Sequence, residues 1–339
     1  MEDRKEQLER FLAEAAGADR VAIAALERMP GGAIQDNWRA DADIAGGPFA
    51  GRLEVVVRAD PDAVPAVSHD RREEFFLLKA AHEAGVTVPE PLWLCDDPAV
   101  LGRPFFVMRR VRGVAAGHRI VKDYSLGGDR ASLANRLGGE LARIHSIRPP
   151  RPDLAFLKVP DEPPALEAVG DYRAHLDAHG EPRPALELGL EWLERNAPPA
   201  GDVVLCHRDF RTGNYMVDES GITGILDWEF ADWGDPLEDV GWFCARCWRF
   251  GAVDRPAGGI GTRDAFCDGY EQVAGRTLER DRIGYWEVMA HMRWAVIALQ
   301  QATRHLSGEQ TSLELALTGH IVPELELQIL DMTEEGVHA

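Results

Sequence analysis

The run Cys206-His207-Arg208-Asp209-Phe210-Arg211-Thr212-Gly213-Asn214, followed by Gly224-Ile225-Leu226-Asp227, holds residues whose types and spacing could do chemistry. Phosphoryl transfer from a nucleotide needs one carboxylate to orient the attacking hydroxyl, and an amide with a second carboxylate to hold metal on the phosphates. H-R-D-x-x-x-x-N with a later Asp supplies that set in that order. Asp209 would orient the hydroxyl and accept its proton late in transfer. Asn214 and Asp227 offer oxygen atoms to Mg2+, which keeps several waters and is usually held by only one or two carboxylates besides phosphate oxygens. His207 reads as a scaffold that hydrogen-bonds the loop rather than as a proton carrier. The bland alternative is a surface loop of solvated charges. Against it, Val203-Val204-Leu205 and Gly224-Ile225-Leu226 are apolar strands that aim the loop.

The elements around this core fall into two groups. Residues 2–16 have helical spacing, with Leu8, Phe11, Leu12 and Ala15 on one side. Residues 21–26, 40–44 and 53–58 read as strands, and residues 104–108 as a further buried one. Residues 71–84 carry a helical pattern through Phe75, Leu78 and Ala81, and residues 86–94 are punctuated by proline. Beyond Met108 the chain reads as mostly helical, over residues 133–147, 185–195, 285–305 and 313–332. The expected fold class is α+β: a small antiparallel-sheet lobe over residues 1–108, a hinge at 109–113 and a larger, mainly helical lobe over 114–339.

Bulk properties narrow the partners. The 339 residues are 45% hydrophobic, enough for a substantial core, and the formal net charge is -20. That charge disfavours nucleic acid, whose binding relies on Lys and Arg displacing counterions, and it disfavours an anionic membrane surface. No window approaches the roughly 20 apolar residues of a spanning helix, and the N-terminus Met-Glu-Asp-Arg-Lys-Glu has no apolar signal region. Five scattered cysteines fit reduced thiols in a cytoplasm. Cys244 and Cys247 match C-x-x-C, but Trp242, Phe243 and Trp248 beside them suggest packing in a buried helix.

His207, Asp209, Asn214 and Leu226-Asp227 resemble the H-x-D-x-x-x-x-N and I-D motifs of the aminoglycoside phosphotransferase family, which includes choline-kinase-like members. Trp233-Gly234-Asp235-Pro236-Leu237-Glu238-Asp239 is similar to that family's G-D-P-x-x-D segment. The resemblance implies a two-lobed, protein-kinase-like fold and an ATP- or GTP-dependent transfer, with Mg2+, to a hydroxyl of a small molecule. That molecule would be a metabolite or an aminoglycoside-like antibiotic. It implies that a basic residue on the third strand grips the α- and β-phosphates and pairs with a helix glutamate. Here Arg58 replaces the usual lysine, with Glu74 as its partner and Glu73 the near alternative. Arg is wider than Lys and pairs bidentately, so the two are not interchangeable. Phe106-Val107-Met108-Arg109-Arg110-Val111 is similar to the hinge, where adenine would bond backbone around Arg109 and Val111 with Met108 near its ring. Gly31-Gly32-Ala33-Ile34-Gln35-Asp36-Asn37 lies where the phosphate-covering loop should be, without the full glycine pattern.

The acceptor pocket is expected among Trp242, Arg246, Trp248, Arg249, Arg293 and Trp294. Each of these is also a natural core or helix-surface residue. A protein kinase is the second reading, but Asp227-Trp228-Glu229 departs from D-F-G and no A-P-E follows. A non-catalytic nucleotide-binding protein is the third, motivated by Arg58. The sequence carries no signal for an oligomeric state.

Overall fold

The computed structural model describes residues 2–29, 36–60 and 68–335. Its first part is a five-stranded antiparallel sheet in the order β1-β2-β3-β5-β4, built from β1 (Arg20–Arg28), β2 (Asp36–Ala45), β3 (Gly51–Ala59), β4 (Pro91–Cys95) and β5 (Phe105–Arg109). The central β3 is a β-branched run buried from Val55 to Ala59, so both of its faces are covered. Register pairs Arg58 with Asn37 on one side and Phe106 on the other. Helix α1 (Glu2–Ala15) lays Leu8 and Leu12 on this sheet, and the Phe11 ring meets Phe105 edge-on at 5.1 Å. Helix α2 (Arg71–Glu83) starts in a capping box, where the Asp70 side chain accepts from the Glu73 N–H and Glu73 reaches back to the Asp70 N–H. Its apolar side, Phe75, Leu77 and Leu78, joins the core of the second lobe. The short α3 (Pro98–Leu101) completes the first lobe. The glycine segment expected to cover phosphates lies, for residues 31–35, outside the described residues.

The second lobe is mostly helical. It contains α4 (Gly117–Lys122), α5 (Arg130–Ile144), α6 (Pro164–His179) and α7 (Pro184–Arg195). Two small ribbons follow: β6 (Val204–Cys206) with β9 (Asp232–Gly234), and β7 (Tyr215–Val217) with β8 (Ile222–Ile225). Then come α8 (Pro236–Cys244), α9 (Arg263–Ala274), α10 (Ile283–Leu306), α11 (Leu313–Gly319) and α12 (Val322–Glu335). The buried helix read across Trp242 and Trp248 is shorter than that: α8 stops at Cys244 and a 3-10 turn, Arg246–Trp248, takes over. All five cysteines are free. Among the described residues no helix is long and apolar enough to cross a membrane.

Helices α5 and α9 approach each other backbone to backbone. A Cβ on Gly138 would lie 1.9 Å from the Phe266 carbonyl oxygen, and one on Gly269 would lie 1.8 Å from that of Asn135. Gly269→Ala must therefore push the two helices apart. Overpacking of this kind costs about 1–3 kcal/mol, more than the ~1 kcal/mol that alanine contributes as the better helix former. A denaturant midpoint below wild type is expected. Gly170→Ala in α6, where nothing lies within 4 Å of the added carbon, should raise it.

Candidate active site

The loop that follows β6 is held from beneath by one buried carboxylate. Asp239, fully buried on α8, accepts hydrogen bonds from the His207 N–H (2.6 Å) and the Arg208 N–H (2.7 Å), and lies 3.2 Å from His145 Nε2. Burial would push its carboxyl up, yet His145 and the His207 N–H hold it below the usual carboxylate range. Arg208 and Asp227 both sit in the left-handed region, at φ 60° and 61°, conformations that L residues keep only when surrounding contacts impose them. His207 links the two functional segments. Its Nε2 lies 2.9 Å from the Leu226 carbonyl, and its Nδ1 faces the Asp209 N–H at 3.3 Å. The Leu226 N–H donates to the Asn214 carbonyl at 2.8 Å. Asn214 and Asp227 are thereby neighbours, although 12 residues separate them in the chain.

Asp209 is fixed by three side chains. Trp242 Nε1–H and Arg211 Nε–H donate to Oδ1 at 2.9 and 3.0 Å, and Asn214 Nδ2 donates to Oδ2 and, at 3.0 Å, to the Asp209 carbonyl. Asn214 thus spends its amide nitrogen on Asp209 and keeps its carbonyl oxygen as a donor for a cation. Asp227 spends Oδ1 on Arg58 Nη1 at 3.3 Å, keeps Oδ2, and is a third exposed. Two spare oxygens on adjacent residues, both hard donors, fit a magnesium ion. The buried group of His145, Cys206 and Asp239 does not fit one. Asp239 is occupied by amides, and burial pushes the Cys206 thiol far up, whereas a ligating cysteine must be a thiolate.

The structure brings Arg58 to Glu74. Arg58 Nε donates to Oε2 at 2.9 Å and Nη2 lies 2.7 Å from Oε1, a buried ion pair inside the lobe. Glu73 is engaged in the cap of α2 and with His69 Nδ1 instead. Burial works against the Arg58 charge, but Glu74 and Asp227 outweigh it and raise its pKa above the ordinary arginine value. Arg71, also buried, donates to Glu74 and to Asp60, so the glutamate is anchored from both sides. At the end of β5, Met108 is half-buried, and the Arg109 N–H already donates to the Glu90 carbonyl at 2.8 Å. Val111 stands over Gly224 of β8, where an added Cβ would come within 3.2 Å of its Cγ2.

A cavity of about 1540 Å³ opens beside Asp209. Arg211, Trp242, Trp248, Arg293 and Trp294 line its inner wall, and α6 faces them through Tyr172 and His175. Trp248 packs between its two neighbours, with ring centroids 5.1 Å from Trp242 and 4.9 Å from Trp294. Arg246 and Arg249, expected in this wall, are absent from it. Once α8 gives way to the 3-10 turn, Arg246 points to solvent and Arg249 donates to the Cys244 carbonyl. The sequence reading missed the parts played by Asp239 as support and by Trp242 as a donor to Asp209.

Asp235 caps α8, accepting from the Leu237 N–H at 2.8 Å. Burial pushes its carboxyl up to about 6. A carboxyl with a raised folded-state pKa favours folding most below its unfolded value, near 4, and that contribution is lost as pH rises through 6. Asp235→Asn keeps the cap and removes the titration. Its stability relative to wild type should grow between pH 4 and 6, by about 2–3 kcal/mol at most, when urea midpoints are compared across that window.

A model of the phosphotransferase enzyme family matches residues 25–276. Acyl-CoA dehydrogenase family member 10 of Mus musculus is 33% identical over 201 residues, covering 56% of this chain and 18% of that protein. Acyl-CoA dehydrogenase family member 11 of Pongo abelii is 25% identical over 286 residues, covering 80% of this chain and 36% of that protein. The chain thus spans well under half the length of these relatives. Among solved structures, a Ralstonia eutropha protein provisionally named an aminoglycoside phosphotransferase superimposes with TM-score 0.77 at 21% identity, over 97% of this chain and 98% of that one. A spectinomycin phosphotransferase in complex with ADP and spectinomycin gives 0.63 at 14% identity, over 97% and 98%. A choline/ethanolamine kinase family protein of Mesorhizobium loti gives 0.59 at 18%, over 98% and 95%. At these identities the likeness to solved structures establishes the fold: two lobes, protein-kinase-like, with a small antiparallel sheet and a helical remainder.

Proposed function

Because this chain belongs to the phosphotransferase enzyme family, we propose that it transfers the γ-phosphoryl group of ATP or GTP to a hydroxyl of a small molecule, a metabolite or an aminoglycoside-like antibiotic. The observation that carries this reading is the Asp209 carboxylate, held by Trp242 and Asn214 at the wall of a cavity of about 1540 Å³, with the Arg58–Asp227 pair joining the lobes next to it.

The nucleotide lies between residues 1–108 and 114–339, with 109–113 as the hinge. Its base meets the chain at Met108, Arg109 and Val111; since the Arg109 N–H is engaged, the base turns to the remaining backbone groups of that stretch. Arg58, steered by Glu74, grips the α- and β-phosphates. Asn214 and Asp227 would hold Mg2+, which when bound supplies neutralisation of the phosphate charge. His207 keeps the loop in register. Asp209 accepts a hydrogen bond from the acceptor hydroxyl and aims its oxygen at the γ-phosphorus. As the new O–P bond forms, Asp209 takes the proton. The bond from γ-phosphorus to the bridging oxygen breaks, and the nucleoside diphosphate leaves with the electron pair. A cavity walled by α6 and α10 suits a small acceptor better than a protein chain.

A panel of hydroxyl compounds screened by ADP release, with wild type and Mg2+, tests the reading. Turnover on one acceptor class is expected; nucleotide binding with no turnover across a broad panel would contradict it. Asp227→Asn removes the negative charge from the proposed cation donor set. It should abolish most of the Mg2+-dependent rise in melting temperature given by AMP-PNP, read by thermal shift with and without EDTA.

A further inference from the structure

Arg71 opens α2 and is 1% exposed, so it is closed off from any ligand in the cleft. Its guanidinium nonetheless meets three carboxylates on three separate segments. Nε donates to Asp60 Oδ1 at 3.1 Å and Nη1 donates to Glu74 Oε2. Nη2 lies 3.7 Å from Glu229 Oε2 and donates to the His69 carbonyl at 3.1 Å. Each of these acids stands behind a residue of the site. Asp60 follows Arg58 by two residues, just past the end of β3, and Glu74 is the partner of Arg58. Glu229 follows Asp227 by two residues. One buried cation thus ties together the strand that carries Arg58, the helix that steers it and the segment that carries Asp227. His69 adds a second tie across the lobes. Its N–H donates to the Glu229 carbonyl at 2.9 Å, and its Nε2 lies 2.8 Å from the Ala231 carbonyl.

Resting on the phosphotransferase reading, we propose that Arg71 is a positioning residue: through Asp60, Glu74 and Glu229 it sets the spacing of Arg58 and Asp227, and with it the phosphate grip. Arg58 Nη1 meets Asp227 Oδ1 at 3.3 Å across the two lobes, and Arg71 holds the elements on both sides of that contact. A guanidinium suits this task. Its planar fork points N–H groups in fixed directions, whereas an ammonium is a point charge on a flexible stem. Stability alone does not account for the arrangement. A buried ion network is often no more stable than apolar residues of the same volume, so the value of this one lies in holding a single geometry. The effect falls on the phosphates. The base is expected at the hinge, on backbone that Arg71 does not touch, so loss of Arg71 weakens only ligands that carry phosphates.

The test needs no acceptor. Affinities for AMP-PNP and adenosine are measured by calorimetry in Mg2+ for wild type, R71Q and R71K, with GMP-PNP and guanosine as the parallel pair. R71Q should bind the triphosphate analogue roughly 10-fold more weakly, within the range for coupled members of one ion network, and the nucleoside as wild type does. R71K, which keeps the charge without the fork, should recover part of the loss. D60A, which releases one arm of the fork and leaves the buried cation in place, should give a smaller loss of the same kind, and it carries the comparison if R71Q does not fold. Equal weakening of analogue and nucleoside would mark a role in folding alone and overturn the proposal, as would no change in either. Wild type that binds neither triphosphate analogue overturns the phosphotransferase reading itself.

Discussion

Asp209→Asn should lower the rate of phosphoryl transfer by about 10²- to 10⁴-fold, the range that a positioned general base contributes, and leave affinity for AMP-PNP near wild type. The substitution keeps the shape of the side chain, and its oxygen can still accept from Trp242 Nε1 and Arg211 Nε. What it removes is the ability to take a proton. Its amide also turns a donor toward Asn214 Nδ2, another donor, so one of the contacts that hold the loop is lost. Rates of ADP release on the acceptor found by screening, beside calorimetric nucleotide affinities, separate the two effects. Turnover equal to wild type would remove Asp209 from the chemistry.

Asp239→Asn should be the most destabilising single change at the site. The carboxylate is fully buried, accepts two backbone N–H groups of the loop that follows β6, and faces His145. An amide offers one acceptor oxygen where the carboxylate offers two, and it places an NH2 against an N–H donor. Removing one member of such a buried charged network costs about 3–5 kcal/mol. The sign with pH follows from the depressed Asp239 pKa. Its contribution is present above the unfolded carboxylate value and is lost as pH falls through the folded one. Wild type should therefore lose stability on acidification more steeply than the variant, whose midpoint is already low at neutral pH. Urea melts at neutral and acid pH check both statements. A midpoint for Asp239→Asn within experimental scatter of wild type would show that the loop does not depend on this support.

The candidate site residues were legible where the chain writes them close together. Asp209 and Asn214 share one loop, and the apolar strands on either side of it are short runs that period and composition reveal. Arg58 and Glu74 were legible as a pair through the family resemblance, which asks for a basic residue on the third strand and a helix glutamate; Val55-Val56-Val57 marks that strand and Phe75 with Leu78 the helix, while the choice of Glu74 over Glu73 waited on the fold. Asp239 was not, because an acid in the first turn of a helix ordinarily serves the helix; its burial under the loop is a tertiary fact. Arg211 was silent for a related reason: its partners are Asp209 and an indole 37 residues on. Helix α9 escaped notice because it meets α5 through Gly269 and leaves only a short apolar face at Phe266, Cys267 and Tyr270. Helix α6 escaped because it walls a cavity, burying only Ala165, Val169 and Leu176, and so lacks a strong apolar stripe. Arg246 and Arg249 were misplaced by extending α8 past Cys244, since a helix projects residues onto a face that the 3-10 turn does not keep.

A crystal structure with Mg2+ and AMP-PNP measures the proposed convergence directly. The triphosphate is expected between the lobes, with Arg58 on its α- and β-phosphates, oxygens of Asn214 and Asp227 at about 2.1 Å from the cation, and Asp209 facing the γ-phosphorus from the cavity side. Nucleotide seated elsewhere, or a metal held on the phosphates by neither Asn214 nor Asp227, would contradict it.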